Sequence, residues 1–167
     1  MLKKTSKKFS DSFRKPSPRL SHFSYKGYYC YFITCCTFNA FEFFKEERVI
    51  KEVEKILCET AKRNKFFIYC FCFMPDHLHF LLGGEDEISS LKDFMRIFKQ
   101  RSSFVIKKMT GKRLWQRSYY DHIVRKIESL EEICEYILNN PVRKGLVKNC
   151  QEYPYSSLFI KDMLGQT

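Results

Sequence analysis

Apolar and polar positions follow two periods along this chain, and the switches between them lay out one domain. Residues 28–38 are aromatic, β-branched or cysteine throughout, the pattern of a central strand. Val49, Ile50, Val53, Ile56, Leu57 and Ala61 then recur at helical spacing among charged neighbours, which predicts an amphipathic helix over 46–63. Residues 66–73 are apolar on both faces and give a second strand, and Met74-Pro75-Asp76 is turn chemistry leading straight into a third. So short a link makes those two strands an antiparallel pair. Ser89 or Ser90 caps a long helix with Leu91, Phe94, Met95, Phe98 and Val105 inward, ending near Gly111. Residues 119–125 read as a fourth strand, with His122 and Val124 on one face and Ile123 on the other. Ser129 and Glu132 have capping-box spacing and open a third helix, lined by Leu130, Ile133, Cys134, Ile137 and Leu138 and stopped by Pro141. The order strand, helix, strand, strand, helix, strand, helix predicts an α+β fold. Its core is a ferredoxin-like antiparallel sheet with helices on one face, the other face left free for a site, and a further C-terminal helix.

The third strand departs from pure core chemistry. In Phe71-Cys-Phe-Met-Pro-Asp-His-Leu-His-Phe-Leu-Leu82, alternation puts His77, His79 and Leu81 on one face and Leu78, Phe80 and Leu82 on the other. The second face is apolar. The first offers two imidazoles with room for a metal ion between them, both mostly neutral at pH 7 and so able to ligate. Taken alone, His-x-His is more often an ordinary pair of surface or core histidines.

Composition narrows the classes. With 44% hydrophobic and 17% aromatic residues in 167, the chain is expected to fold as one domain with a real core. It shows no apolar run of bilayer length and no secretory leader, so an intracellular, cytoplasmic protein with no membrane partner is expected. Its eight cysteines lie mostly within apolar patterns, where reduced cysteine is a small hydrophobe, and none forms a C-x-x-C pair. Cys70, Cys72, His77 and His79 make a legitimate zinc set, but their spacing is too short for the known fingers.

The net charge of +11 points to a polyanion, most commonly nucleic acid. Six of those eleven charges fall in residues 1–19, so 1–24 reads as a basic, flexible arm, 25–160 as the domain and 161–167 as a tail. Lys92, Arg96 and Lys99 form a basic stripe on the second helix, and Arg113, Trp115 and Arg117 follow it. Arginines for phosphate and an aromatic for base stacking are the equipment of single-strand binding, although Trp115 serves equally as a core anchor.

Tyr136 lies well off the apolar stripe of the third helix, with Asn140 one turn further on the same flank. A phenol needs a cation or base before it attacks. A divalent ion held by His77 and His79, with Asn140 as oxygen donor, could polarise a phosphate beside it. A half-exposed amphipathic tyrosine is the bland alternative. Tyr119 and Tyr120 are rival nucleophiles, and strand alternation sends them to opposite faces.

Four blocks carry a resemblance: Met74-Pro-Asp-His-Leu-His79, Leu114-Trp-Gln-Arg-Ser-Tyr-Tyr-Asp-His-Ile-Val-Arg125, Tyr136-Ile-Leu-Asn-Asn-Pro-Val-Arg-Lys-Gly-Leu-Val147 and Tyr153-Pro-Tyr-Ser-Ser157. In this order they resemble the single-tyrosine HUH transposases, and within them the branch associated with repetitive extragenic palindromes (REP). The resemblance implies a nucleoid-associated bacterial single-stranded DNA endonuclease and strand transferase that uses Mg²⁺ or Mn²⁺ and acts on hairpin-containing DNA as a monomer or homodimer. It implies Tyr136 as nucleophile on a C-terminal catalytic helix, His77, His79 and Asn140 as metal ligands, and a 5′-phosphotyrosine intermediate. Tyr155 stands where a tryptophan is frequent, and Thr34-Cys-Cys-Thr37 lacks the arginine or glycine-rich continuation often seen in that strand. A non-catalytic nucleic-acid-binding module is the runner-up reading, and it leaves the two histidines, Tyr136 and Asn140 without a role.

Overall fold

A computed structural model describes residues 23–125 and 129–159 of the chain. The basic arm up to residue 22 and the C-terminal tail lie outside the described residues.

The elements run β1 (Cys30–Cys36), α1 (Glu47–Arg63), β2 (Phe66–Met74), β3 (His77–Gly84), α2 (Leu91–Thr110), β4 (Tyr120–Ile123), α3 (Leu130–Leu138), α4 (Asn140–Arg143) and β5 (Ser156–Leu158). The strands form one antiparallel sheet in the order β4-β1-β3-β2-β5. Its first four strands have the ferredoxin-like arrangement, and β3 lies at the centre.

The period-two pattern of β3 sorts the molecule into two cores. Leu78, Phe80 and Leu82 face α1 and α2 and join Val53, Leu57, Phe94 and Phe98 in the larger cluster. Leu81 faces the other way and packs with Phe32, Cys70 and Cys72 against Ile133, Cys134 and Ile137 of α3. The face expected to be free is therefore partly roofed by α3, which packs chiefly on β2. Burying that apolar stripe is what brings the helix down on the histidine side of the sheet.

Capping follows the sequence signals. The Ser90 hydroxyl accepts the Asp93 backbone N–H at the start of α2, and Gly111 ends that helix at a left-handed φ of 72°. Ser129 caps α3 in the same way. Pro141, by contrast, does not stop the chain's helical course. It sits in the first turn of α4, where a missing N–H costs nothing, after a break at Asn139. β5 was not anticipated, because three residues are too few to show alternation. Its approach is held by the Tyr153 hydroxyl, which donates to the Phe73 carbonyl at 2.6 Å.

Candidate active site

His77 opens β3 directly after the Pro75-Asp76 turn, and His79 follows on the same face. Their Nε2 atoms lie 3.1 Å apart. Each ring is held from its other nitrogen: His77 Nδ1 by the Asp76 carboxylate at 2.6 Å, His79 Nδ1 by the Thr34 hydroxyl at 2.8 Å. Thr34 reaches His79 because β1 and β3 pair in a register that sets them opposite one another.

These contacts determine the tautomers. The Asp76 carboxylate only accepts, so His77 Nδ1 carries the proton and its Nε2 presents a lone pair. Two lone pairs cannot sit 3.1 Å apart without repulsion, so His79 Nε2–H donates to His77 and the Thr34 hydroxyl donates to His79 Nδ1. A hydroxyl also accepts. Rotating the Thr34 O–H lets His79 move its proton to Nδ1 and expose a second lone pair beside the first.

That pair suits one cation. Two nitrogens bound about 2.1 Å from an ion stand about 3.0 Å apart at octahedral angles and about 3.4 Å at tetrahedral ones, and the observed spacing falls between. Burial holds both imidazoles neutral, which ligation requires. His79 lies well below the usual histidine range through burial and the charges of His77, Arg143 and Lys144. His77 is lowered by burial, against the opposing pull of Asp76. Among the described residues no three His, Cys, Asp or Glu side chains gather as a metal cluster, so a third donor drawn from them would be of another type.

Asn140 carries a side-chain oxygen of that other type. Its side-chain amide gives hydrogen bonds to the carbonyls of Tyr136 (3.0 Å) and Ile137 (3.2 Å). Pro141 has no N–H to offer Ile137, and the Asn140 side chain takes that place. Both amide hydrogens are thus committed, which fixes the flip of the group and leaves Oδ1 as its free atom. Arg143 and Lys144 bear on the His79 charge from the same short segment.

Tyr136 belongs to the same side of the sheet. Phe32 is the hinge of the arrangement, with ring centroids 5.6 Å from His79, 6.0 Å from Tyr136 and 6.3 Å from Tyr120. The Arg143 guanidinium covers the Tyr136 ring at 4.3 Å. Tyr120 shares this face, whereas Tyr119 packs with the larger core and under Lys99.

The basic residues sort differently. Lys92, Arg96, Lys99 and Arg117 line one hollow of about 370 Å³ with Met95 and Tyr119. Lys99 also donates to the carbonyls of Gln116, Arg117 and Ser118, so it fixes the loop that carries Arg117. Arg113 donates to the Trp115 carbonyl and stacks on Phe38. Trp115 is corrected outright. It is 2% exposed, packs between Phe44 and Phe98, and donates its indole N–H to Ser102 at 2.8 Å. It is a core anchor, with no ring face open to a base.

Thr34, Asp76, Phe32 and Arg143 were missed as site residues. Asp76 stood out only as a turn residue, and Arg143, seven positions beyond Tyr136, had a helical spacing that could have flagged it.

Residues 24–140 match the family described as Transposase IS200 like. The chain belongs to that family. This transposase is 28% identical over 102 residues to the Escherichia coli REP-associated tyrosine transposase, covering 58% of each chain. A Haemophilus influenzae protein provisionally named a REP-associated tyrosine transposase is 29% identical over 119 residues, 65% of this chain and 68% of that one. In fold, the transposase is similar to the solved structure of a REP-associated tyrosine transposase bound to a REP hairpin. The TM-score is 0.71, with 20% identity, 89% of this chain and 87% of that chain covered. No helix among the described residues is long and apolar enough to cross a membrane.

Proposed function

We propose that this transposase cuts and rejoins single-stranded DNA at hairpin-containing sites, with Tyr136 as nucleophile and a divalent ion, Mg²⁺ or Mn²⁺, held by His77, His79 and Asn140. The observation that carries this reading is the 3.1 Å approach of two neutral imidazole nitrogens on the face where Tyr136 packs over Phe32. When bound, the ion supplies Lewis-acid polarisation of the scissile phosphate. The chain's own residues do the remainder. Asp76 and Thr34 orient the two histidines, Phe32 and Arg143 hold the Tyr136 ring between them, and the guanidinium lends positive charge where a phenolate must form. Tyr136 Oη attacks phosphorus, the P–O3′ bond breaks, and the leaving 3′ oxygen takes a proton. The 5′ phosphate stays on Tyr136 until another 3′ hydroxyl attacks and the phenolate leaves, which rejoins strands.

DNA is the partner that Lys92, Arg96, Lys99, Arg113 and Arg117 suit, by their charge. The named relatives are REP-associated transposases, which supports a palindromic hairpin as substrate. The test is incubation of labelled hairpin DNA carrying single-stranded flanks with the protein and Mg²⁺ or Mn²⁺, followed by denaturing electrophoresis. A covalent adduct is expected from the wild type and from Tyr119→Phe and Tyr120→Phe, and none from Tyr136→Phe, which still binds DNA. An adduct that persists in Tyr136→Phe and vanishes in Tyr120→Phe moves the nucleophile to β4.

A further inference from the structure

The loop after β1 leaves two aromatic rings in solvent at the end of the sheet where His77 begins. Phe38 is 38% exposed and Phe41 43%, while their neighbours Phe43 and Phe44 are buried in the main core. Each exposed ring carries a cation on it: the Arg113 guanidinium lies 4.7 Å from the Phe38 centroid and Lys112 Nζ 3.8 Å from that of Phe41. Among the described residues neither cation has a carboxylate partner.

The loop is strained and yet firmly tied. Asn39 and Ala40 both take φ of 53°, the left-handed region that residues with a Cβ enter at a cost. Such a conformation persists only where its surroundings over-determine it. Here Phe38 N donates to the Leu114 carbonyl, the Thr37 hydroxyl lies within hydrogen-bond distance of the Phe41 and Asp76 carbonyls, Thr37 N donates to Asp76, and Phe44 N donates to Pro75. The loop is thus fastened to the same turn whose carboxylate orients His77. Two Cα steps and one cross-strand spacing put Phe38 at most about 13 Å from His77 in Cα terms, the reach of a few nucleotides.

We propose that Phe38 and Phe41, with Arg113 and Lys112, form a stacking platform for the unpaired bases that flank the scissile phosphodiester. The proposal rests on the reading of His77, His79 and Tyr136 as a DNA-cleaving site. Aromatic rings alternating with cations match a single strand, in which bases alternate with phosphates. A duplex keeps its base faces inside and cannot use the rings. The platform fills the role that Trp115, buried in the core, cannot.

The test uses the full chain in a chelator, so that binding is read without cleavage. The probes are a blunt hairpin and the same hairpin with single-stranded flanks carrying 2-aminopurine at successive positions. Wild-type protein is expected to quench one or two flank positions. The Phe38→Leu/Phe41→Leu double variant, which keeps apolar cover on the loop, should lose the quench and bind the flanked hairpin roughly 5- to 150-fold more weakly for each ring lost. Blunt-hairpin binding should not change, and Phe38→Trp and Phe41→Trp should retain the quench. The platform is overturned if the leucine variant quenches as the wild type does, if blunt and flanked hairpins weaken equally, or if the wild type quenches at no position. Should the leucine variant fail to fold, the wild-type and tryptophan quench patterns decide alone. Quenching without a Tyr136 adduct in Mg²⁺ would sink the catalytic reading and leave the platform standing. The adduct without quenching would do the reverse.

Discussion

At the scale of single residues, the site turns on two contacts that place protons. Thr34 can donate to His79 Nδ1 or accept from it, and the choice decides whether His79 Nε2 carries hydrogen or a lone pair. Thr34→Val keeps the shape and removes both options, so the ring loses the partner that fixes its ligating tautomer. Manganese affinity, read by titration calorimetry on Tyr136→Phe protein, should fall about 10- to 100-fold. An unchanged affinity would mean that Thr34 only fills space. His79 also couples the site to pH. Its folded value lies well below the unfolded value of about 6.5, so below that pH the unfolded chain binds a proton that the folded one refuses. The stabilisation is complete above about pH 6.5 and is lost as pH falls toward the folded value. Urea midpoints in chelator should therefore drop from pH 7.5 to 5.5, and less steeply in His79→Gln. None of this pairing was legible in the chain, because Thr34 and His79 stand forty-five positions apart and meet only through the β1–β3 register.

At the scale of elements, strong periodicity was legible and short pieces were not. The expected helix over 46–63 is α1 with one residue's difference, and the alternation of β3 put its apolar and histidine faces where they are found. β5 has three residues, and α4 begins at a proline junction that reads as an ending. For Trp115 between cations, base stacking and core packing were equally legible, since only the packing of Phe44 and Phe98 shows where its ring goes. The junction of α3 and α4 yields its own test. Asn140 must donate twice to helix carbonyls and keep an oxygen free, and aspartate, the better cation ligand by charge, can only accept. Asn140→Asp should destabilise the fold by about 1–3 kcal/mol in denaturant titrations, through carbonyls left without donors. Equal stability would show that water replaces the amide and that the asparagine is retained for the site alone.

At the scale of the whole molecule, charge is unevenly spread. Six of the eleven excess positive charges belong to residues 1–19, before the first residue of the folded core, Tyr25, whose carbonyl accepts the Leu91 N–H. Residues 91–125 carry ten lysines and arginines against two aspartates, among them the Lys92–Arg96–Arg117 hollow and the Lys112–Arg113 pair, on α2 or in the segment that follows it. If the arm tracks phosphates, each cation engaged releases a counterion and adds about 0.7 to the slope of log affinity against log salt for single-stranded DNA. Seven lysines and arginines precede residue 20, so deleting 1–19 should lower the slope by up to about 5 and leave the melting temperature unchanged. Charge reversal in the hollow, by Arg96→Glu with Arg117→Glu, should lower it by about 1–2 with the arm still present. The two losses should add, because separate phosphates are involved. A slope that survives arm deletion but collapses on reversal in the hollow would assign DNA contact to the folded domain alone, with the arm's charge serving solubility.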